Sequence, residues 1–311
     1  MSRADPVKID ASIVIPFIIF TAIWGSTWIV IRDQIGSVPA VWSVAYRFII
    51  AAVAMAAVAR WQGHRLAPSR GLLGSAAFLG IAQFSANFSC VYQAEHFVTS
   101  GLVATVFALL LIPNSLLAWA YLGQRPGRAF LVGGAFAVAG VGLLFANELA
   151  AASGRGGGVL IGLAWTLAGL MGASMANVFQ AGDRAKRHPL PVLLAWSMAF
   201  GALADVLIAL ATSGAPSFDP RPAYWLGLLY LALAASVLCF SLYFPVVRRI
   251  GPGKAAYSSV MVPIIAMAIS TAAEGYRWTP LAAAGAALAI GGMLLALVWR
   301  KPLAAAAPDA G

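Results

Sequence analysis

Two similar stretches decide the fold of this 311-residue chain: LLIPNSLLAWAYLGQRP at residues 110–126 and SSVMVPIIAMAISTAAEGYRWTP at residues 258–280. Each is an apolar helix with a proline inside it, and Pro113 and Pro263 are 150 residues apart. A proline deprives the carbonyl four residues earlier of its helical donor, and membrane proteins tolerate this where neighbouring helices surround the break. We therefore predict two kinked membrane helices and an internal repeat.

The similarity continues beyond the prolines. Gln124 and Glu274 each stand eleven residues after a proline and precede a short arginine-bearing turn. Two helices rich in small residues follow, LVGGAFAVAGVGLL at 131–144 and AAAGAALAIGGMLL at 282–295, which align with one residue inserted. Chance likeness between small-residue helices is the alternative, and the matched spacings favour a true repeat.

Composition sets the environment of the chain. Hydrophobic residues make up 61% of it and charged residues only 10%, with a mean hydropathy of +0.87. Soluble domains are about 45–50% apolar and about 25% charged, so a soluble enzyme is excluded, and so is a disordered chain. These values indicate an all-α polytopic membrane protein.

Turns and charges divide the chain into spans of about 20 residues, the length that crosses a bilayer. The ten predicted spans are 12–31, 40–59, 71–91, 97–122, 128–147, 157–180, 190–212, 224–246, 254–273 and 280–299. The predicted organisation is a tail at 1–11, a five-helix repeat at 12–147, an outer linker at 148–156, a second five-helix repeat at 157–299 and a tail at 300–311. Because five is odd, the second repeat enters the membrane inverted, as in many secondary transporters.

The basic residues predict the orientation. With both termini in the cytoplasm, 15 of the 20 Lys and Arg residues lie in inner segments, four in outer loops, and Arg47 lies within a span. This asymmetry follows the positive-inside rule for a multi-pass protein of the plasma membrane, of the bacterial inner-membrane type. Since the net charge of +10 is spread over many short loops, nucleic acid is excluded as a partner.

The sequence resembles the EamA family of the drug/metabolite transporter superfamily over nearly its whole length. The matching stretches are WGSTWIVIRD at 24–33, YRFIIAA at 46–52 and the two proline-bearing helices. The resemblance implies ten spans in two five-helix units and export of small molecules, often amino acids or related compounds. It also places Arg47 at the family's usual arginine. The family's LGE at the end of the fourth helix is LGQ here, whereas Glu274 keeps the acid in the second half.

Polar and aromatic residues within the spans are the candidates for a central binding site, because polar groups are costly in lipid and mark function. Each of them has interhelical hydrogen bonding or simple packing as its alternative role. The candidates are Trp24, Trp28, Gln83, Asn87, Tyr92, Asn114, Trp119, Asn177, Gln180, Tyr243, Tyr257 and Ser258.

Two opposite charges are predicted at similar depth in the membrane. Arg47 and Asp205 lie at comparable distances from the outer ends of the second and seventh spans, which are repeat counterparts. An unpaired charge at such a depth costs at least about 2.5–3.5 kcal/mol, so we predict an ion pair between them. It would serve either as a static brace between the halves or as a gate.

Three titratable groups at outer turns are candidates for proton coupling: Glu95, His96 and Glu274. A solvated loop pair is the alternative for Glu95 and His96. Neither the cysteines nor the histidines have metal-ligand spacing, so we expect no metal and no cofactor. A stripe of small residues in the last span (Ala283, Ala287, Gly291) predicts close packing inside the protein or a dimer contact, which leaves monomer and homodimer open.

The predicted function is secondary transport of a small-molecule substrate across the bilayer, with a coupling proton left open as a further partner. No Walker A motif is present in the sequence, so ATP hydrolysis by that route is not expected. The alternatives are a lipid-modifying membrane enzyme, for which the sequence supplies no clear cluster of His, Asp or Cys, and a structural or regulatory membrane protein.

Overall fold

A computed structural model describes residues 11–151, 156–255 and 258–298, and within these ranges the chain is all-α. Ten long helices are found there, with one-turn helices at Asp183–Lys186 and Pro252–Ala255 between them. The long helices are α1 (Ala11–Gln34), α2 (Ala40–Trp61), α3 (Arg70–Ala94), α4 (Ser100–Leu122), α5 (Arg128–Ala151), α6 (Gly156–Ala181), α7 (Leu190–Ser213), α8 (Pro222–Ile250), α9 (Ser258–Ala273) and α10 (Pro280–Val298).

The described helices confirm an all-α polytopic membrane protein. Eight of them, α1 to α8, are long and apolar enough to cross a bilayer, and α9 and α10 contain shorter apolar helical runs. The helix ends differ from the predicted spans by at most four residues. Short loops whose turns contain glycine and proline explain this agreement, because a helix rarely continues through such residues.

The two halves pack through equivalent helices. α2 lies against α7, and α5 lies against α10. α1 contacts α8 and α9, and in the same way α6 contacts α3 and α4. Each helix of the first half therefore has its counterpart in the second, as the predicted repeat requires.

Two π-helical segments, in α3 and α8, follow the same repeat. They span Gly80–Asn87 and Tyr230–Leu238, so their first residues are 150 positions apart, as Pro113 and Pro263 are. A π segment widens the helical turn and frees backbone groups, and such segments are frequent at functional sites. The predicted proline kinks differ in form: a 3₁₀ turn, Ala108–Leu110, precedes Pro113, whereas Pro263 lies inside the continuous α-helix of α9.

Glycines bring α5 and α10 into backbone contact. A Cβ added at Gly140 would lie 2.3 Å from the backbone nitrogen of Ala289, and one added at Gly292 would lie 2.4 Å from that of Ala137. These distances are far below van der Waals contact, so only glycine fits at either position.

The predicted small-residue stripe of α10 does not pack inside the protein, and its alternative role as a dimer contact stays a prediction. Ala283, Ala287 and Gly291 are exposed in the structure, and a Cβ at Gly291 would meet open space. The stripe that packs against α5 contains Gly285, Ala289 and Gly292 instead. Because successive helical residues are rotated by about 100°, a shift of one or two positions moves a stripe to another face.

The adjacent glycines of α10 provide a matched test of this packing. Gly292→Ala should lower the stability of the purified protein by about 1–3 kcal/mol, since the new methyl group overpacks a backbone contact. Gly291→Ala should leave it unchanged or slightly higher, because alanine is the better helix former. Thermal denaturation in detergent would measure both, and equal effects of the two substitutions would contradict the described interface.

Candidate functional site

A cavity of about 110 Å³ lies at the centre of the protein, between the two halves. Residues from seven helices line it: α1, α2, α3 and α4 of the first half and α6, α8 and α9 of the second. The lining residues are Trp24, Thr27, Trp28, Ile31, Arg47, Gln83, Asn87, Phe88, Val91, Ala104, Phe107, Ala108, Leu110, Ala173, Asn177, Phe240, Tyr243, Val262 and Pro263. Such a mainly apolar pocket with a few polar groups is typical of a small-molecule site.

Aromatic side chains form one wall of the cavity. The ring of Trp24 lies 5.4 Å from that of Phe240 and 5.0 Å from that of Tyr243, both edge-on. Its indole nitrogen donates to the carbonyl of Ala235, at 3.0 Å, inside the π segment of α8. The widened turn thus supplies an acceptor that a regular helix would have used internally.

Polar groups reach the cavity from the π segment of α3. Gln83 and Asn87 belong to this segment, and Asn177 lines the cavity from α6. The amide oxygens of Gln83 and Asn87 are buried and have no hydrogen-bond partner in the structure. Two free acceptors therefore lie in this region.

Arg47 extends from α2 into the cavity lining and is 1% exposed. Its Nε donates to the hydroxyl of Ser236 at 3.0 Å, and its guanidinium carbon lies 4.2 Å from the centre of the Phe88 ring. The Nη1 group is buried without a partner. Arg47 therefore belongs to the site itself.

Arg47 and Asp205 do not form the ion pair that the sequence predicts. Asp205 accepts hydrogen bonds from the hydroxyls of Ser85 and Ser89, at 2.6 and 3.0 Å. Across the described residues, no ion pair within 4.0 Å joins Asp205 to Arg47. Equal depth does not fix the direction of a side chain around the helix axis, and here the two charges point to different neighbours.

A polar cluster, the outer cluster, lies beyond one end of the cavity; it contains Arg32, Glu95, Ser100 and Glu274. The Ser100 hydroxyl lies 2.8 Å from Glu274 Oε1 and 3.4 Å from Glu95 Oε2. Arg32 donates to the carbonyl of Glu95, and its Nε lies 3.9 Å from Glu274 Oε1. The cluster joins the ends of α1, α3, α4 and α9 on the side that the charge pattern predicts to be outside.

The outer cluster is close to the cavity along the helices. Glu95 follows the lining residue Val91 by four positions, and Ser100 precedes the lining residue Ala104 by four. Residues four apart lie one turn apart on the same helical face. The cluster therefore stands about one turn outward from the cavity.

Burial governs the protonation of the outer cluster. Burial, and secondarily the neighbouring Glu274 carboxylate, raise the pKa of Glu95 well above its usual range, although Arg32 and Ser100 oppose this. Partial burial and the positive charge of Arg32 lower the pKa of His96, which favours the neutral imidazole. Burial thus favours the protonated form of Glu95.

A second outer contact joins the loops of the two halves. Arg221, which precedes α8, lies 2.8 Å from Asp219 and 3.1 Å from Asp33 at the end of α1. Ser37 donates to Asp219 as well. Hydrogen bonds from Arg221 and Ser37 hold the pKa of Asp219 well below its usual range.

Several other candidates lie away from the cavity. Tyr92 is buried and donates to Gln34, Asn114 is fully buried in α4 outside the cavity lining, and the Trp119 ring is 48% exposed. Gln180 accepts two hydrogen bonds from Arg248, at 3.1 and 3.0 Å. Tyr257 falls outside the described residues, and the side chain of Ser258 is not described.

The sequence does not single out the apolar part of the lining, above all Phe88, Phe107 and Phe240. A phenylalanine in a membrane helix is equally suited to lipid, to helix packing and to a cavity. Two of the three stand close to a candidate in the sequence: Phe88 directly follows Asn87, and Phe240 lies three residues before Tyr243. Phe107 has no such neighbour.

The family model of the EamA-like transporter family matches the chain twice, at residues 11–146 and 160–298. The chain belongs to this family. Its two matched segments fall in the two halves whose helices meet at the cavity.

Named relatives agree with this assignment. "Uncharacterized inner membrane transporter YedA" of Escherichia coli K12 is 29% identical over 258 residues, which cover 81% of this chain and 80% of that protein. "Probable amino-acid metabolite efflux pump" of Salmonella typhimurium LT2 is 25% identical over 298 residues, covering 89% and 92%. A solved structure titled "Crystal structure of protein" has a TM-score of 0.66 and 20% identity, covering 92% of this chain and 97% of its own, which supports the fold.

The EamA-like chain is therefore a membrane transporter, and it is a multi-pass protein of the plasma membrane. Transport requires a small-molecule substrate and a bilayer setting, and both agree with the central cavity and the apolar helices.

The raised pKa of Glu95 makes stability depend on pH in a defined direction. A carboxyl whose pKa is higher in the folded than in the unfolded protein contributes stability at low pH, and this is lost as the pH rises through the folded-state value. Thermal denaturation between about pH 5 and about pH 9, a range above the ordinary carboxyl pKa, should show a midpoint that falls by a few degrees. Glu95→Gln should flatten this dependence.

Asp183→Asn is the control, because Asp183 is exposed and begins the one-turn helix after α6, at the other end of that membrane-spanning helix from the outer cluster. An unchanged pH profile in the Glu95→Gln protein would refute the assignment of this dependence to Glu95.

Proposed function

We propose that the protein is a secondary transporter that exports amino acids or related small metabolites by alternating access. The observation that carries the proposal is the central cavity lined by helices of both halves. If one half moves against the other, residues at their interface alternately open to the two sides of the membrane, whereas a site within one half would stay fixed.

The closure of one end of the cavity supports this mechanism. In the outer cluster, Glu95 is fully buried and Ser100 is 2% exposed, although both lie next to a loop. Glu274 directly follows α9 in the second half, and its partners Arg32 and Ser100 come from the first half. Opening the outer side must break these contacts between the halves.

The lining supports a small, partly apolar substrate. Trp24, Trp28 and Tyr243 offer flat apolar surfaces, and Gln83, Asn87 and Asn177 offer hydrogen-bonding groups. These six are the substrate-binding residues that we propose. The printed name of the Salmonella relative, an amino-acid metabolite efflux pump, is in keeping with such a substrate.

For energy coupling we propose proton exchange at Glu95 and Glu274. Both carboxyl groups are hydrogen-bonded to Ser100, and their mutual repulsion is smallest when one of them is protonated. Loss of that proton would place two negative charges in a buried site and favour opening of the outer cluster. His96, at the same turn, is the other group that we assign to the proton path.

Counterflow in proteoliposomes tests the transport proposal. Liposomes that contain the purified protein and are loaded with an unlabelled amino acid should accumulate the labelled one above the level of empty liposomes. A panel of amino acids and related metabolites should contain accepted solutes, with and without a pH gradient. No flux above empty liposomes for any member would refute the proposal.

A substitution that fills the cavity tests its location. Ala173 is 4% exposed and lines the cavity from α6, so Ala173→Phe should reduce counterflow at least tenfold by occupying the substrate's space. Ala139→Phe is the control, because Ala139 is exposed on α5, outside the cavity lining. Gel filtration should confirm that both variants are folded. Equal rates in the two variants would place the transport path elsewhere.

Coupling requires a separate measurement. Glu95→Gln and Glu274→Gln should abolish the stimulation of transport by a pH gradient while exchange without a gradient continues. His96→Ala distinguishes the imidazole from the carboxyl pair as the essential proton site. Stimulation that survives in both glutamine variants would exclude the carboxyl pair.

A further inference from the structure

Arg47 carries a charge that the protein leaves without a counter-ion. Its side chain is 1% exposed, and its guanidinium is held by the Ser236 hydroxyl on one side and the Phe88 ring on another. Neither contact neutralises a full positive charge, and Nη1 remains buried without any acceptor.

In the described parts of the chain, no acidic residue serves as the counter-ion of Arg47. The lining of the cavity contains no Asp or Glu among the residues that the structure describes. Asp205 is bound to Ser85 and Ser89, and Glu95 and Glu274 are bound in the outer cluster. An isolated charge within a membrane protein costs several kcal/mol, and one that lines a cavity marks a ligand site.

The guanidinium is well placed to receive an anion of one particular shape. Arginine presents its donors in a rigid planar fork that matches a carboxylate with two parallel hydrogen bonds. Ser236 and Phe88 fix the plane of this fork, since one holds Nε and the other lies at the guanidinium carbon. The site is therefore preorganised, with the Nη1 donors free.

The rest of the lining limits which other chemical groups the bound anion can carry. Gln83 Oε1 and Asn87 Oδ1 are buried acceptors without partners, so they require a donor from the ligand. Trp24, Phe107 and Val262 form apolar walls of a cavity of only about 110 Å³. A second negative charge would have no partner there.

We propose that Arg47 binds the carboxylate of the transported solute, and that the solute is a small monocarboxylate with an apolar side chain and a hydrogen-bond donor close to the acid. Gln83 and Asn87 accept from that donor. This inference rests on the proposed transport function, because it assumes that the central cavity is the substrate site. Amines that lack an acid group are then excluded from this site.

Four ligands of similar shape separate the contribution of the carboxylate from that of the neighbouring hydrogen-bond donor: leucine, leucinamide, 4-methylpentanoate and isoamylamine. Binding to the purified protein, measured by thermal shift and by tryptophan fluorescence, should be strongest for leucine. It should be weaker for 4-methylpentanoate, which lacks the donor, and at least tenfold weaker than leucine for leucinamide and isoamylamine. Comparable binding of leucine and leucinamide would overturn the proposal, and so would no binding of any of the four.

Variants of Arg47 provide the complementary test. Arg47→Gln should weaken leucine binding at least tenfold and remove the preference for leucine over leucinamide. Arg47→Lys should retain part of the affinity and part of the preference, because lysine keeps the positive charge but lacks the planar guanidinium. Arg60→Gln is the matched control, since Arg60 is exposed at the end of the same helix. Unchanged preference in a folded Arg47→Lys or Arg47→Gln protein would overturn the role of Arg47. If neither variant folds, the comparison of the four ligands on the unmodified protein decides.

Proteoliposome exchange separates failure of this inference from failure of the transport function. Exchange of leucinamide at the rate of leucine, blocked by Ala173→Phe, would leave the transporter intact and refute the carboxylate site. Absence of exchange for every solute would refute the transport function itself.

Discussion

The absence of water in the bilayer core is the constraint on which the rest of this structure depends. Backbone groups there must be satisfied by the protein, so the spans are helical and irregular backbone is confined to protein-surrounded positions. The two π segments obey this rule, since Gly80–Asn87 and Tyr230–Leu238 both supply groups around the central cavity. The freed carbonyl of Ala235 is satisfied by Trp24, a residue from the opposite half. The irregular backbone of α8 therefore provides a hydrogen bond between the two halves.

The same constraint explains how much the sequence could predict. Helix ends were predictable because glycine, proline and charge interrupt long apolar runs, and these features are local. Positions around the helix axis were not, because nearly every face of a membrane helix is apolar and lipid and protein contacts look alike. For this reason the sequence could not show that Trp119 and the stripe Ala283, Ala287 and Gly291 are exposed in the structure, whereas the polar Gln83 and Asn87 are buried.

The sequence also could not predict which side chains the two buried charged residues contact. The sequence placed Arg47 and Asp205 at equal depth, and the structure joins one to Ser236 and Phe88 and the other to Ser85 and Ser89. Hydroxyl groups are common in these helices, so their spacing carries little information about which charge they serve. Ser85 and Ser89 lie four residues apart on α3, a spacing that is compatible with many functions.

The contact between α5 and α10 has a consequence for the proposed movement of the halves. No side chain separates the two backbones at Gly140 and Gly292, so a change of rotamer cannot absorb sliding between these helices. Neither helix contributes a residue to the cavity lining in the described chain. Under the proposed alternating access, this pair would stay a fixed contact, and the rearrangement would fall on the remaining eight helices.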